Sequence, residues 1–165
     1  LTLENALRNQ LVALVDARCV DPLEILLEDA GTADALRHRV RERASAWARA
    51  MVTGDDAEAT HAITRTIATL YPGDGPFDPP ADWWRTPLGT ITARRVGHPS
   101  AHALSYPVAG AMLGISRQGV HDLLNRGKLD RHPDGGVTAS SVRDRLRAKA
   151  LPEAARHPGN AVDRG

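Results

Sequence analysis

Aromatic residues are scarce in this chain, with three Trp, two Tyr and one Phe among 165 residues. A stacking platform for unpaired bases has little to build on. The adjacent pair Trp83-Trp84 is better explained as an anchor, holding a neighbouring flexible segment onto the core of a second domain. Cysteine is nearly missing as well. Cys19 stands alone, which excludes an internal disulfide, fits a reducing cytoplasm and, within an apolar helical pattern, predicts a core position. Lysine occurs only at 128 and 149, against an abundance of Arg and Ala. That bias looks like GC-rich coding, so excess Arg alone does not indicate nucleic acid.

No apolar run approaches the length of a bilayer span, and no basic-then-apolar leader opens the sequence. The first residue is Leu1 rather than Met, which leaves room for residues upstream. A soluble, cytoplasmic, nucleoid-associated protein without a membrane partner is the expectation. Phosphate-binding Gly loops, nucleophile elbows and His-Glu metal pairs are missing. His98 and His102 have i, i+4 spacing, but Pro99 interrupts any helix between them and no Cys or carboxylate completes a metal site. Asp55, Asp56 and Glu58 are explained by the preference of acids for a helix start. Neither an enzyme, nor a catalytic residue, nor a cofactor or metal is expected.

Charge is unevenly placed. Residues 1–70 hold 8 Arg against 11 Asp and Glu, a net of −3; residues 71–81 add two Asp; residues 82–165 hold 13 basic against 7 acidic residues, a net of +6. Such a division suits one half that meets a polyanion and another that meets protein.

The fold class predicted is mainly α: an N-terminal helical bundle followed by a helix-turn-helix with a small β-hairpin wing. Within 1–70, Thr2 caps a helix with Leu3, Leu7, Leu11, Leu14 and Val15 on one face. Asp21-Pro22 opens a short second helix that ends before Gly31. A third runs from Thr32 to Gly54, with Leu36, Val40, Trp47 and Met51 along one side. Asp55-Asp56 starts a fourth, with Ala59, Ile63, Ile67 and Leu70 inward. This bundle is assigned to self-association or a protein partner, and Trp47 and Met51 are its first candidates for an exposed apolar patch. Residues 71–81, with four Pro and two Gly between Tyr71 and Pro80, are the expected linker. The second domain then covers 82–150, and 151–165 are expected to be a disordered tail. Thr86-Pro87 begins its first helix, which buries Leu88, Ile91 and Val96 and projects Arg94 and Arg95.

Between Tyr106 and Asn125 the residues needed for two short helices at a tight turn are in place. Pro107 can start the first helix. Gly110 permits close approach of the second, Gly114 supplies the turn, and Ser116 caps the second helix. Leu113, Ile115, Val120 and Leu123 form the shared core. Arg117, Gln118, His121 and Asn125, at relative positions i, i+1, i+4 and i+8, are left as an outward stripe of types that bond base edges and phosphates. Gly127 ends the helix, Pro133-Asp-Gly-Gly136 makes a hairpin turn, and Ser140 or Ser141 opens a last helix with Val142 and Leu146 on one face.

Over residues 104–149 the order of elements resembles the winged helix-turn-helix of the excisionase-like and MerR-like DNA-binding superfamily. The resemblance rests on Ala109, Leu113-Gly114-Ile115-Ser116, Val120, Leu123, Gly127-Lys128-Leu129, Gly135-Gly136-Val137 and Val142. It implies that the second helix enters the major groove with Ser116, Arg117, Gln118, His121 and Asn125. The wing would meet the flanking backbone through Lys128, Arg131 and His132; Arg126, Arg94 and Arg95 complete the DNA-facing set. MerR activators usually carry an Arg-Tyr pair in the second helix and place the domain first. Here His121-Asp122 stands at that place and the domain comes last, which disfavours a metal- or drug-sensing activator. The sequence thus predicts a sequence-specific duplex-DNA-binding regulator, a repressor acting as a homodimer. An architectural protein of phage or plasmid recombination or segregation is one alternative; a protein adaptor is the other.

Overall fold

In the computed structural model the backbone is described for residues 1–154 and the side chains through residue 150. The chain is mainly helical, with one small antiparallel sheet, and forms two compact units that divide after Ala101.

The first unit contains five α-helices, α1 (Leu3–Val15), α2 (Asp21–Leu27), α3 (Ala30–Thr53), α4 (Asp56–Leu70) and α5 (Pro87–Arg95), and a short 3-10 turn at Ala81–Arg85. Thr2 caps α1 and Asp55 caps α4, the latter in a reciprocal pair with Glu58. Asp21 does not cap a new helix. The chain passes from α1 into α2 through a wide π-type turn at Asp16–Val20, closed by the Asp21 N–H on the Asp16 carbonyl. Pro22 accounts for it: its ring would crowd the carbonyl four residues back, and one widened turn relieves the clash without ending the helix.

Glu28 ends α2 in the left-handed region at φ 52°, and Asp29, not Thr32, caps α3. The Asp29 carboxylate takes the Thr32 hydroxyl at 2.6 Å and its N–H at 3.0 Å, which holds its pKa below the usual range. The inward stripe of α3 also differs from the expected one. Ala33, Ala44, Ala48 and Met51 are buried, Val40 and Trp47 are half-buried, and Leu36 is exposed. Small side chains let neighbouring helices approach closely, so the larger residues are displaced to the flanks.

The core joins Leu7 and Leu11 of α1, Ala48 and Met51 of α3, Ala62, Ile63 and Ile67 of α4, and Leu88 and Ile91 of α5. Helix α5 is thus part of the bundle. Its cap is Thr86, as expected, and the Gln10 side chain also accepts the Leu88 N–H at 2.7 Å. The segment 71–81 is no boundary. Tyr71, Phe77 and Trp83 pack on this core and on one another, with ring centroids 5.0–6.1 Å apart. The Trp83 indole N–H donates to the Tyr71 hydroxyl at 3.1 Å, and Arg18 lies over the Tyr71 ring while donating to the Leu70 carbonyl. Proline and glycine do stop the helix here, but the interspersed aromatics bind the segment back to the bundle. Trp84 is fully buried in the same unit, between Trp83 and His98.

The second unit begins with β1 (Ala103–Leu104), followed by α6 (Tyr106–Leu113), α7 (Arg117–Asn125), β2 (Val137–Thr138) and α8 (Ala139–Ala154). The strands are antiparallel, with Ala103 opposite Thr138 and Leu104 opposite Val137. Arg131 bridges the other side of Val137, so residues 130–138 form a hairpin whose return strand lies beside β1. Leu104, Leu113, Val120, Leu124, Leu129, Val137, Val142 and Leu146 are buried. Leu124 takes the place expected for Leu123, because Val120 and Leu124 are i, i+4 on α7. Helix α8 starts at Ala139 rather than after Ser140 or Ser141; the Thr138 hydroxyl accepts the Ser141 N–H. Of the expected tail, residues 151–154 continue α8 and 155–165 lie outside the described residues.

Candidate nucleic-acid interface

Helices α6 and α7 meet at a tight turn. Ser105 caps α6, and Gly114 at φ 68° closes it with the Ile115 N–H on the Gly110 carbonyl at 2.9 Å. A Cβ on Gly110 would stand 2.9 Å from the Ile115 carbonyl oxygen. Glycine there sets the closeness of the two helices. The Ser116 hydroxyl accepts the Gly119 N–H at 3.1 Å, so Ser116 acts as the cap that starts α7.

With Val120 and Leu124 inward, Arg117, Gln118 and Asn125 are exposed and His121 is half-buried. These four lie along one stripe of α7, and three of them have partners. The Gln118 amide donates to Asp122 at 3.1 Å. His121 packs on the Tyr106 ring with centroids 4.6 Å apart. The Asn125 carbonyl oxygen accepts from Arg131 at 3.4 Å, while Arg131 also donates to the Tyr106 hydroxyl at 3.2 Å. Tyr106, α7 and the hairpin are therefore tied through one guanidinium. Arg126 and Lys128 are exposed beside this cluster. His132 is turned to hairpin geometry instead, with Nδ1 accepting the Asp134 N–H at 3.1 Å.

Tyr106 was not among the residues singled out in the sequence. Its signal is slight: an aromatic at the first position of a helix, directly before Pro107, is spared from the core and can lie across a neighbouring helix.

Arg94 and Arg95 belong to the first unit, apart from the α6–α7 pair in the chain's division. Arg94 is exposed. Arg95 donates to the Gly54 and Asp55 carbonyls at 2.6 and 3.1 Å and lies 3.6 Å from Asp56, binding the α3–α4 junction. Cation donors at the end of a helix complement its orphan carbonyls, which is a structural use of Arg95.

Recut at Ala101, the charge division persists. Residues 102–150 hold eight Lys and Arg against four Asp and Glu, a net of +4. Among the described residues no helix is long and apolar enough to cross a membrane, and no group of three or more His, Cys, Asp or Glu is placed to hold a metal ion.

His98, of the His98/His102 pair, is buried against Trp84, with ring centroids 5.1 Å apart. Its Nδ1 accepts the N–H groups of Ser100 and Ala101 at 3.2 and 2.9 Å. Burial lowers its pKa, and Asp78, 3.5 Å from Nε2, offsets only part of the shift. Between the lowered folded value and the ordinary one near 6.5 the unfolded chain binds the extra proton. The contribution of His98 to stability is thus full above about pH 6.5 and is lost as the pH falls from there through the lowered folded value. Urea titrations between about pH 7 and about pH 5 should show a smaller acid loss in His98→Gln than in the natural chain. Equal losses would remove His98 from the acid response.

Comparison with protein-family models, with curated proteins and with solved structures returns no match.

Proposed function

We propose that the second unit binds duplex DNA sequence-specifically, with α7 in the major groove, and that the protein is a transcriptional regulator. The observation that carries this reading is the use of α7. Val120 and Leu124 are its core residues, while Arg117, Gln118 and Asn125 are exposed along it in a unit of net positive charge. Helix diameter matches the major groove, and these side chains are the types that read base edges there. The resemblance of residues 104–149 to the excisionase-like and MerR-like superfamily supports the same docking. A repressor occupying two half-sites as two copies is the fuller form of the reading, because one such helix contacts few base pairs.

Arg117 takes the leading role: it is exposed at the first position of α7 and makes none of the side-chain bonds that engage Gln118 and Asn125. Lys128 and Arg126 supply phosphate contacts. Arg131 positions the hairpin on α7 through Tyr106 and Asn125.

Selection of bound fragments from random duplex DNA tests this directly. One enriched motif is the expected result; bending without enrichment would favour an architectural protein, and no retention would favour an adaptor. On the selected site, Arg117→Ala should weaken binding by about 1–3 kcal/mol while leaving random DNA nearly unaffected. Equal weakening on both would make Arg117 a phosphate contact only.

A further inference from the structure

Helix α2 is an apolar helix with no buried residue. Ile25, Leu26 and Leu27 are 76%, 78% and 60% exposed, and Leu23 is 43% exposed. Leu23, Leu26 and Leu27 lie at i, i+3 and i+4, the spacing of a helix face that meets another helix. Scattered single leucines on a surface need no explanation, but four within five positions of one helix do.

The setting of this face has one sign of charge. Residues 21–36 contain Asp21, Glu24, Glu28, Asp29 and Asp34, and no Lys, Arg or His. Arg37, next in sequence, is held by Asp21 at 2.8 Å, by Asp34 at 3.0 Å and by Glu24, so its charge is already answered within the unit. The same contacts fix α2 against α3, and the face is preformed. Residues 21–37 keep a net charge of −4 with Arg37 counted, so two copies meeting through α2 would set like charge against like charge, and an anionic membrane surface would be repelled in the same way. An apolar stripe flanked by cations answers both properties at once.

We propose that α2 is the docking face for a basic amphipathic helix of another protein, one with apolar residues at i, i+3 and i+4 and Lys or Arg along both edges. This goes beyond DNA binding by α7 and does not depend on it.

The test uses the full chain and two synthetic helical peptides with the same leucine stripe, one with Lys and one with Glu at the remaining positions. Fluorescence polarisation should show binding of the Lys peptide, weakened roughly tenfold or more by the double substitution Leu26→Ser, Leu27→Ser. Both positions are exposed, so the fold is retained, which circular dichroism checks. Glu28→Gln with Asp29→Asn should flatten the salt dependence of the Lys peptide's affinity. Overturning results are an affinity that the Leu26→Ser, Leu27→Ser variant leaves unchanged, or Glu-peptide binding that this variant weakens as much as it weakens the Lys peptide. Sedimentation supplies a third: a dimer of the natural chain that becomes a monomer in the same variant would assign α2 to a second copy instead.

Discussion

Gly136→Ala should cost the second unit about 3 kcal/mol, with roughly 1–2 kcal/mol from backbone strain alone. Gly136 has φ 79°, in the region that side chains disfavour, and an added Cβ would stand 2.2 Å from the Leu104 carbonyl oxygen. Neither atom can turn away, because Leu104 is fixed opposite Val137 in the strand pair. Relief requires β1 and the hairpin to separate, which exposes Leu104 and Val137. Gly135→Ala is the control: its φ is 102°, but nothing lies within 4 Å of its Cβ position, so strain acts there without the collision. Urea unfolding followed by tertiary amide signals of the second unit would compare them. Equal destabilisation would mean that the contact with Leu104 relaxes freely.

Trp84→Ala is the largest loss expected in the first unit, about 3–5 kcal/mol for truncating a buried aromatic. Trp84 is 1% exposed, edge-on to Trp83 at 4.9 Å and against His98. Its backbone is also tightly seated, since a Cβ on Gly89 would meet the Trp84 Cα at 2.6 Å. The surroundings therefore have little freedom to collapse into the space left behind. Trp83→Ala removes a half-buried ring and should cost less. A midpoint shift no larger for Trp84→Ala than for Trp83→Ala would show that the pocket closes.

Local chemistry was well legible in the sequence. Thr2, Asp55, Thr86 and Ser116 each cap the helix their type and position predict, and Gly114 makes the α6–α7 turn. Legibility failed where a local signal is overridden by packing. Asp21-Pro22 has the composition of a helix start, yet a single wide turn accommodates the proline and the helix continues. The segment 71–81 has the composition of a linker, yet Tyr71 and Phe77 hold it on the core. Hydrophobicity misled on α3, where alanines line the inside and Leu36 remains outside, and Met51 is buried instead of forming an exposed patch. On α7, Arg117, Gln118 and Asn125 are exposed and His121 is half-buried, and the sequence did not reveal their partners. Arg131, assigned there to the DNA backbone, is engaged by Tyr106 and Asn125, a junction that no spacing rule reveals because it joins positions 25 and 6 residues apart.

The pairing of Ala103 with Thr138 closes the chain into a loop that contains α6, α7 and the whole hairpin. Closing a loop costs entropy that grows only with the logarithm of its length, so each doubling adds roughly 0.6 kcal/mol. Extra residues are therefore cheap wherever the loop makes no contact on which its closure depends. Pro133 and Asp134 are the exposed tip of the hairpin, before the tightly fitted Gly136. Inserted residues between them would lengthen the tip while leaving the strand register and α7 in place. The tip is where this unit can acquire additional reach; at Gly136, two residues further along, it cannot.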